Sequence, residues 1–214
     1  MPFPWDEDNP QVRNRIMDNL AVLLLEVVAS GRRRDQPSVE LVKDWHQRML
    51  DRVPLVEPAV AGGFRGTGPQ RGRLKTYRVV VDQVEAVRPG RVRSEMSLFG
   101  RRLQEQVAAL DPLIPAKAPP ERHEHQVIAL CAWAHGELIR THPFADGNGR
   151  MARAVLLWLG TRYGLSAFID LRPRPTGSTG YEDASRASMT GRHQLMEITL
   201  TNMLALHRAH SPNP

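Results

Sequence analysis

Cysteine occurs once in 214 residues, at Cys131. No internal disulfide can form, which excludes a disulfide-stapled secreted scaffold and makes a reducing cytoplasm the expected compartment, with a secreted effector as the alternative. Lysine is nearly as scarce: it stands only at Lys43, Lys75 and Lys117, and arginine carries the rest of the basic charge. The 29 basic and 23 acidic residues leave a formal charge of +6, which suits an anionic partner. The clusters GRRRD and RPGRVR read as solvated loop arginines, so nucleic acid is not an expected partner. Long apolar runs are missing as well. LAVLLLEVVA is interrupted by Glu26 and follows the acidic WDEDN, so it reads as a buried helix and excludes a membrane partner. There is no internal repeat, and the only biased tract is the proline-rich connector IPAKAPP. Zinc-protease spacing is absent: ERHEHQ sets His123 and His125 two apart, on different sides of a helix.

What is present is an ordinary globular composition, 41% hydrophobic and 24% charged, enough for one packed domain. Ile16, Leu20, Leu23, Leu24 and Val27 recur at helical spacing, with Gly31 as the expected stop. A second helix is capped by Ser38 and puts Val42, Trp45 or His46, and Met49 on one face, ending before Pro54. Val53 to Gly72 is rich in Pro and Gly and reads as loop. TYRVVVDQVEAVRPG carries β-branched residues in partial alternation and a Pro-Gly punctuation, which predicts a hairpin. Leu103, Val107 and Leu110 mark a helix closed by Asp111-Pro112. Pro120 opens the next, whose buried stripe is Val127, Leu130, Cys131, Ala134, Leu138 and Ile139. Met151, Ala154, Val155, Trp158 and Leu159 form another, up to Gly164. Two more, roughly Tyr181 to Met189 and His193 to His207, close the chain. The expected fold class is all-α, a mainly helical single domain with a small β-hairpin flap.

Between the two central helices lies RTHPFADGNGRMARAV, broken at His142-Pro143 because the residue before proline avoids the α conformation. Gly147, Asn148 and Gly149 tolerate tightly turned backbone, so their N–H groups can converge into a nest at a helix N-terminus, a site for phosphate oxygens. Arg150 and Arg153, one turn apart, bring guanidinium groups to the same region. A carboxylate at Asp146 would repel phosphates unless a hard divalent cation lay between, so Asp146 reads as a Mg²⁺ ligand. His142 stands ready as a neutral imidazole able to take a proton from an incoming hydroxyl.

HPFADGNGRMAR resembles the signature of the Fic family, His-Pro-Phe-x-Asp/Glu-Gly-Asn-Gly-Arg-x-x-Arg, at every specified position. VKDWHQRMLDRVPLVEPAVAGGFRG is similar to the family's upstream helix and its Ala-Gly-x-x-Arg-like loop, and GYEDASRASMTGRHQLMEITL to its closing helices. The resemblance implies the Fic fold, with 1–37 as an N-terminal helix packing on the core and 38–214 as the Fic domain. It implies a protein adenylyltransferase that moves AMP from ATP, with Mg²⁺, onto a Ser, Thr or Tyr hydroxyl of a target protein. His142 is then the general base, Asp146 the metal ligand, Gly147, Asn148 and Gly149 the anion nest, Arg150 and Arg153 the phosphate holders, and Phe144 the anchor of the loop. The hairpin occupies the place of the family's target-docking flap, with Tyr77, Val79 and Val81 at its edge. Transfer of another nucleotide, of phosphocholine or of a terminal phosphate is the alternative within the family; a nucleic-acid-binding module is the alternative outside it. The inhibitory pattern Ser/Thr-x-x-x-Glu-Gly/Asn finds only Ser178 to Glu182, followed by Asp183, so restraint is expected from a separate small antitoxin, with this chain as the toxin, or not at all.

Overall fold

The structure, a computed structural model, describes residues 3–115, 121–165 and 180–210. Pro120, the expected start of a helix, Lys117 in the connector and Ser178 of the inhibitory pattern lie outside these residues. Helix α1 spans Pro10–Arg33; Asn9 caps it by accepting from the Gln11 amide, and Pro10 occupies the first turn, where its missing N–H costs nothing. Of the expected stripe, Ile16, Leu20, Leu23 and Val27 are buried, joined by Val12, whereas Leu24 turns to solvent at 38% exposure because the buried face runs through 16, 20, 23 and 27 and leaves position 24 at its margin. Gly31 does not stop the helix: the cap is Arg34, in left-handed conformation with φ 57°. Its smallness serves packing instead. A Cβ at Gly31 would lie 2.7 Å from the carbonyl oxygen of Trp158 and 2.9 Å from Thr161 Cβ, so the absent side chain lets the two helices touch.

That contact gives a test in which two effects oppose. Gly31→Ala gains about 1 kcal/mol of helix propensity, but forces backbone apart at a cost of about 1–3 kcal/mol. A net loss in urea unfolding is expected. A stabilised variant would mean that α1 is not seated against Trp158.

Helix α2 (Val39–Met49) starts at Ser38, whose Oγ accepts from the Leu41 amide, and buries Val42, Trp45, His46 and Met49. Two short 3-10 turns, Pro58–Val60 and Arg73–Thr76, punctuate the loop that follows. The hairpin is smaller than its sequence suggests: β1 is Val80–Val81 and β2 is Val84–Glu85. Asp82 and Gln83 both have positive φ, the two-residue turn that matches strand twist. Tyr77 lies outside the strand, because its carbonyl accepts from Arg65 and its ring packs on Phe3. Helix α3 (Pro89–Leu110) begins at the Pro-Gly pair that reads as hairpin punctuation; Pro89 is its N1 residue, and Val92, Met96, Phe99 and Leu103 form one buried stripe.

The remaining helices are α4 (Glu121–Thr141), α5 (Asn148–Arg162), α6 (Tyr181–Ser188) and α7 (Gln194–His210). Nearly every residue of α5 is buried, since α1 and α2 cover one side and α4 the other. An all-round buried helix needs little amphipathic pattern. Helices α6 and α7 pack on α4. The start of the most buried helix is therefore held in fixed relation to the end of α4, and the motif loop joins them.

Candidate active site

The loop from His142 to Gly147 is braced from within and from outside. His142 has φ 42°, an uncommon conformation for a residue with a Cβ, as α4 ends and Pro143 turns the chain. Asn148 then staples the loop: its Oδ1 accepts from the Phe144 amide at 2.9 Å and its Nδ2 donates to the Phe144 carbonyl at 3.0 Å. The Asn148 side chain is thereby committed to the loop, and only its backbone can serve an anion. Phe144 is fully buried, stacked on the His46 ring with centroids 3.9 Å apart and tilted against Phe64. His46 accepts from the Gly62 amide through Nδ1, which leaves Nε2–H to donate to the Asp146 carbonyl at 3.1 Å.

His142 holds its ring by a bond between Nδ1 and the Ile139 carbonyl. A carbonyl can only accept, so the proton sits on Nδ1 and Nε2 keeps its lone pair. Burial pushes its pKa down to about 4; the Ile139 carbonyl opposes this, and the Arg65 charge adds to it. The ring is neutral at pH 7 for reasons of desolvation first. Asp146 has solvent on its outer side but is crowded by protein on the other; lost hydration raises its pKa, against the pull of the Gly147 amide and of Arg150. Its Oδ1 accepts from the Gly147 N–H at 2.5 Å.

Gly147 caps α5 with φ 74°, and the first intrahelical bond runs from Met151 N to the Gly147 carbonyl. The amides of Asn148, Gly149 and Arg150 precede that bond, as an anion-binding helix start requires. Glycine is favoured at Gly147 by its positive φ; a Cβ would meet the Met49 methyl at 2.6 Å, a contact to which that flexible side chain would have to yield.

The two arginines diverge. Arg153 lines a cleft of about 310 Å³ with Ile139, His142 and Gly149 on one wall, Val81 and Asp82 of the hairpin, and Tyr181, Glu182 and Ser185 of α6. Arg150 does not line this cleft; it pairs with Glu7 at 2.5 Å, and Glu7 also accepts from the buried Trp5 indole. Of the hairpin residues, Val81 reaches the cleft and Val79 does not. Val79 instead accepts from the Ala86 amide. Because Val79 and Val81 face β2, the main-chain groups of Val80 point to the free edge, and Val80 is 59% exposed. Among the described residues no cluster of three His, Cys, Asp or Glu could hold a metal. Asp146 is not among the residues that line the cleft; it is exposed at the adjoining loop, with Oδ1 on the Gly147 amide, and a carboxylate oxygen of this kind is a donor that Mg²⁺ takes.

A family model described as the Fic/DOC family matches residues 36–159, which take in α2, the hairpin, α3, α4, the loop and most of α5. The chain belongs to the Fic/DOC family. It is 27% identical over 150 residues to the protein adenylyltransferase fic-1 of Caenorhabditis elegans, and 28% identical over 130 residues to that of Caenorhabditis briggsae. The first match covers 70% of this chain and 24% of the relative; the second covers 60% and 22%, so the chain spans about a quarter of the length of these relatives. Two solved structures share the Fic fold. One is BepC, a VirB-translocated effector protein of Bartonella tribocorum with bound AMPPNP, at 16% identity and TM-score 0.57, covering 89% of this chain and 86% of that one. The other is a Fic domain-containing signaling protein of Bacteroides thetaiotaomicron, at 16% identity and TM-score 0.54, covering 94% and 73%. No helix among the described residues is long and apolar enough to cross a membrane.

Glu7, His46 and Arg65 brace this Fic loop without belonging to its motif. Glu7 and His46 lie about a hundred residues or more upstream, and nothing local marks either as a partner of the loop. Arg65 carried a weak signal, as the lone charge in the glycine-rich AGGFRG.

Proposed function

We propose that this Fic/DOC chain is a protein adenylyltransferase that moves AMP from ATP onto a target hydroxyl. The observation that carries the reading is the shared cleft: His142, whose Nδ1 is taken up by the Ile139 carbonyl, Gly149 at the start of α5, Arg153 and Val81 of the hairpin all line it. The Caenorhabditis relatives named as adenylyltransferases and the AMPPNP held by BepC support ATP as the nucleotide. In this reading the target lies along Val80, on the open edge of β1, through main-chain hydrogen bonds. Its hydroxyl oxygen attacks the α-phosphorus in line, the proton passes to His142 Nε2, and the bond to the bridging oxygen breaks, so that pyrophosphate leaves with the electron pair. The amides at the start of α5, with Arg153, hold the phosphates, and Asp146 would hold Mg²⁺, which neutralises phosphate charge. Incubation with each of the four labelled nucleoside triphosphates and a cell lysate tests the reading. A protein band labelled from ATP is expected, and label from another nucleotide alone would reassign the base.

A separate small antitoxin presenting a glutamate to Arg153 would restrain this activity, with the present chain as the toxin. The chain's own Glu7 reaches Arg150 instead, and phosphates that approach Arg150 must displace it. Arg150 is nearly buried but Glu7 is 37% exposed, so solvent screening holds the pair to about 1 kcal/mol. Glu7→Gln is therefore expected to tighten Mg·ATP binding by about two- to fivefold in calorimetry. Unchanged affinity would mean that phosphates do not use Arg150.

A further inference from the structure

Arg65 is fully buried, yet among the described residues no carboxylate lies within ion-pair distance of it. Its guanidinium donates only to backbone. Nε donates to the His142 carbonyl at 2.6 Å, and Nη2 to the carbonyls of Thr141 and Val87, each at 2.9 Å. Nη1 donates to the Tyr77 carbonyl at 3.0 Å. Thr141 ends α4 and His142 follows it, where the helix dipole is negative; Tyr77 and Val87 flank the hairpin, before β1 and after β2. The backbone of Arg65 is itself pinned, since its amide donates to the Pro143 carbonyl at 2.7 Å. On its other side Gly66, with φ 83°, sits so close to Pro89 that a Cβ would come within 1.9 Å of the Pro89 carbonyl oxygen.

Burying a guanidinium is costly unless every donor finds a partner, and a hydrophobic residue would fill the same volume more cheaply. What the cation does here that a hydrocarbon would not is join three segments distant in sequence through the planar fork of one side chain. We infer that Arg65 is a positioning residue for transfer, the clamp that sets the docking hairpin and His142 in one register. This rests on the reading of His142 as base and of the hairpin as docking edge. A hydroxyl presented by the hairpin must come within hydrogen-bond reach of His142 Nε2, and an error of about 1 Å in such an alignment costs about 10²-fold in rate. Arg65 touches no residue of the phosphate cradle, so nucleotide binding is not expected to depend on it.

The test compares the full chain with Arg65→Met and Arg65→Lys. Lysine keeps the charge, but one ammonium cannot span four carbonyls. Both variants are expected to lose about 10²-fold in label transferred from ATP to the lysate band that the wild type modifies. Mg·ATP affinity by calorimetry is expected to stay within about threefold, and hydrogen exchange to quicken at the Ala86 and Val87 amides of the hairpin. If the Met variant fails to fold, the Lys variant carries the test. Wild-type transfer in the Lys variant, unchanged exchange at Ala86 and Val87, or a fall in nucleotide affinity equal to the fall in transfer would each overturn the clamp. A wild type that moves no label from any nucleotide sinks the proposed activity instead, and hydrogen exchange then decides alone whether Arg65 ties the hairpin to the loop.

Discussion

His142→Ala is expected to lower transfer from ATP to protein by about 10²–10⁴-fold, the usual range for a general base, while Mg·ATP binding stays close to that of the wild type. The separation follows from what the side chain touches. The imidazole bonds to the Ile139 carbonyl and faces the cleft, whereas the loop is held by the backbone of His142 and Pro143, by Phe144 and by Asn148. Removing the ring thus removes the proton acceptor without releasing the phosphate cradle. Because burial holds the pKa of His142 down near 4, the base is already deprotonated at neutral pH. Transfer is accordingly expected to vary little between pH 8 and 6, and a fall below pH 6 to follow loss of the fold rather than protonation of this imidazole. Quantified label transfer in the variant, with calorimetry alongside, checks the first part; retention of wild-type transfer would remove His142 from the mechanism. Loss of nucleotide binding together with transfer would show that the ring supports the cradle.

The helical class, the small hairpin and the family were legible because they rest on local pattern. Periodicity marks α1, α2, α4 and α5, and the motif packs its chemistry into a dozen consecutive residues. Where sequence and structure part, glycine and proline read locally as punctuation but tertiary contact decides their role. Gly31 is small for the sake of Trp158, and Pro89-Gly90 opens α3 rather than closing a strand. Tyr77 has the look of a strand residue, but Arg65 and Phe3 claim it. The braces of the loop were mostly hidden for the complementary reason. His46 occupies a helix position where any buried ring would satisfy the pattern, and only its hydrogen bonds to Gly62 and Asp146 reveal it as part of the site. The expectation that Arg150 and Arg153 converge came from their one-turn spacing, which sets the direction of Cβ but not the end of a long side chain that finds Glu7.

The buried histidines have a cost that appears in stability. His46, His135 and His142 are each held neutral, with pKa values lowered to about 3, 3 and 4, by burial above all; the nearby charges of Arg150, Arg153 and Arg65 respectively add to the effect. Protonation would strip His46 of the lone pair that accepts from Gly62, and His135 bonds Tyr181 through Nε2 while its Nδ1 is buried without a partner. In the unfolded chain these groups titrate near 6.5, so below that pH the unfolded state binds protons that the folded state refuses. Stability is therefore fully present above the unfolded value and is lost as the pH falls from about 6.5 toward the lowered values. Three protons give a slope of about 4 kcal/mol per pH unit in that window, and a loss of about 5 kcal/mol between pH 7 and 5. That matches the whole stability of many small domains. Carboxylates in ion pairs do not blur the effect: Glu137, hydrogen-bonded to His193 and Arg140 strongly enough to outweigh its burial, is held down to about 2 and stays ionised throughout the window. Urea unfolding followed by tryptophan fluorescence at pH 7, 6 and 5 is expected to show the midpoint collapsing, and His135→Phe to remove about a third of the slope. A midpoint that holds steady from pH 7 to 5 would mean that these rings are charged or hydrated in the folded protein, and the neutral base assigned to His142 would lose its physical ground.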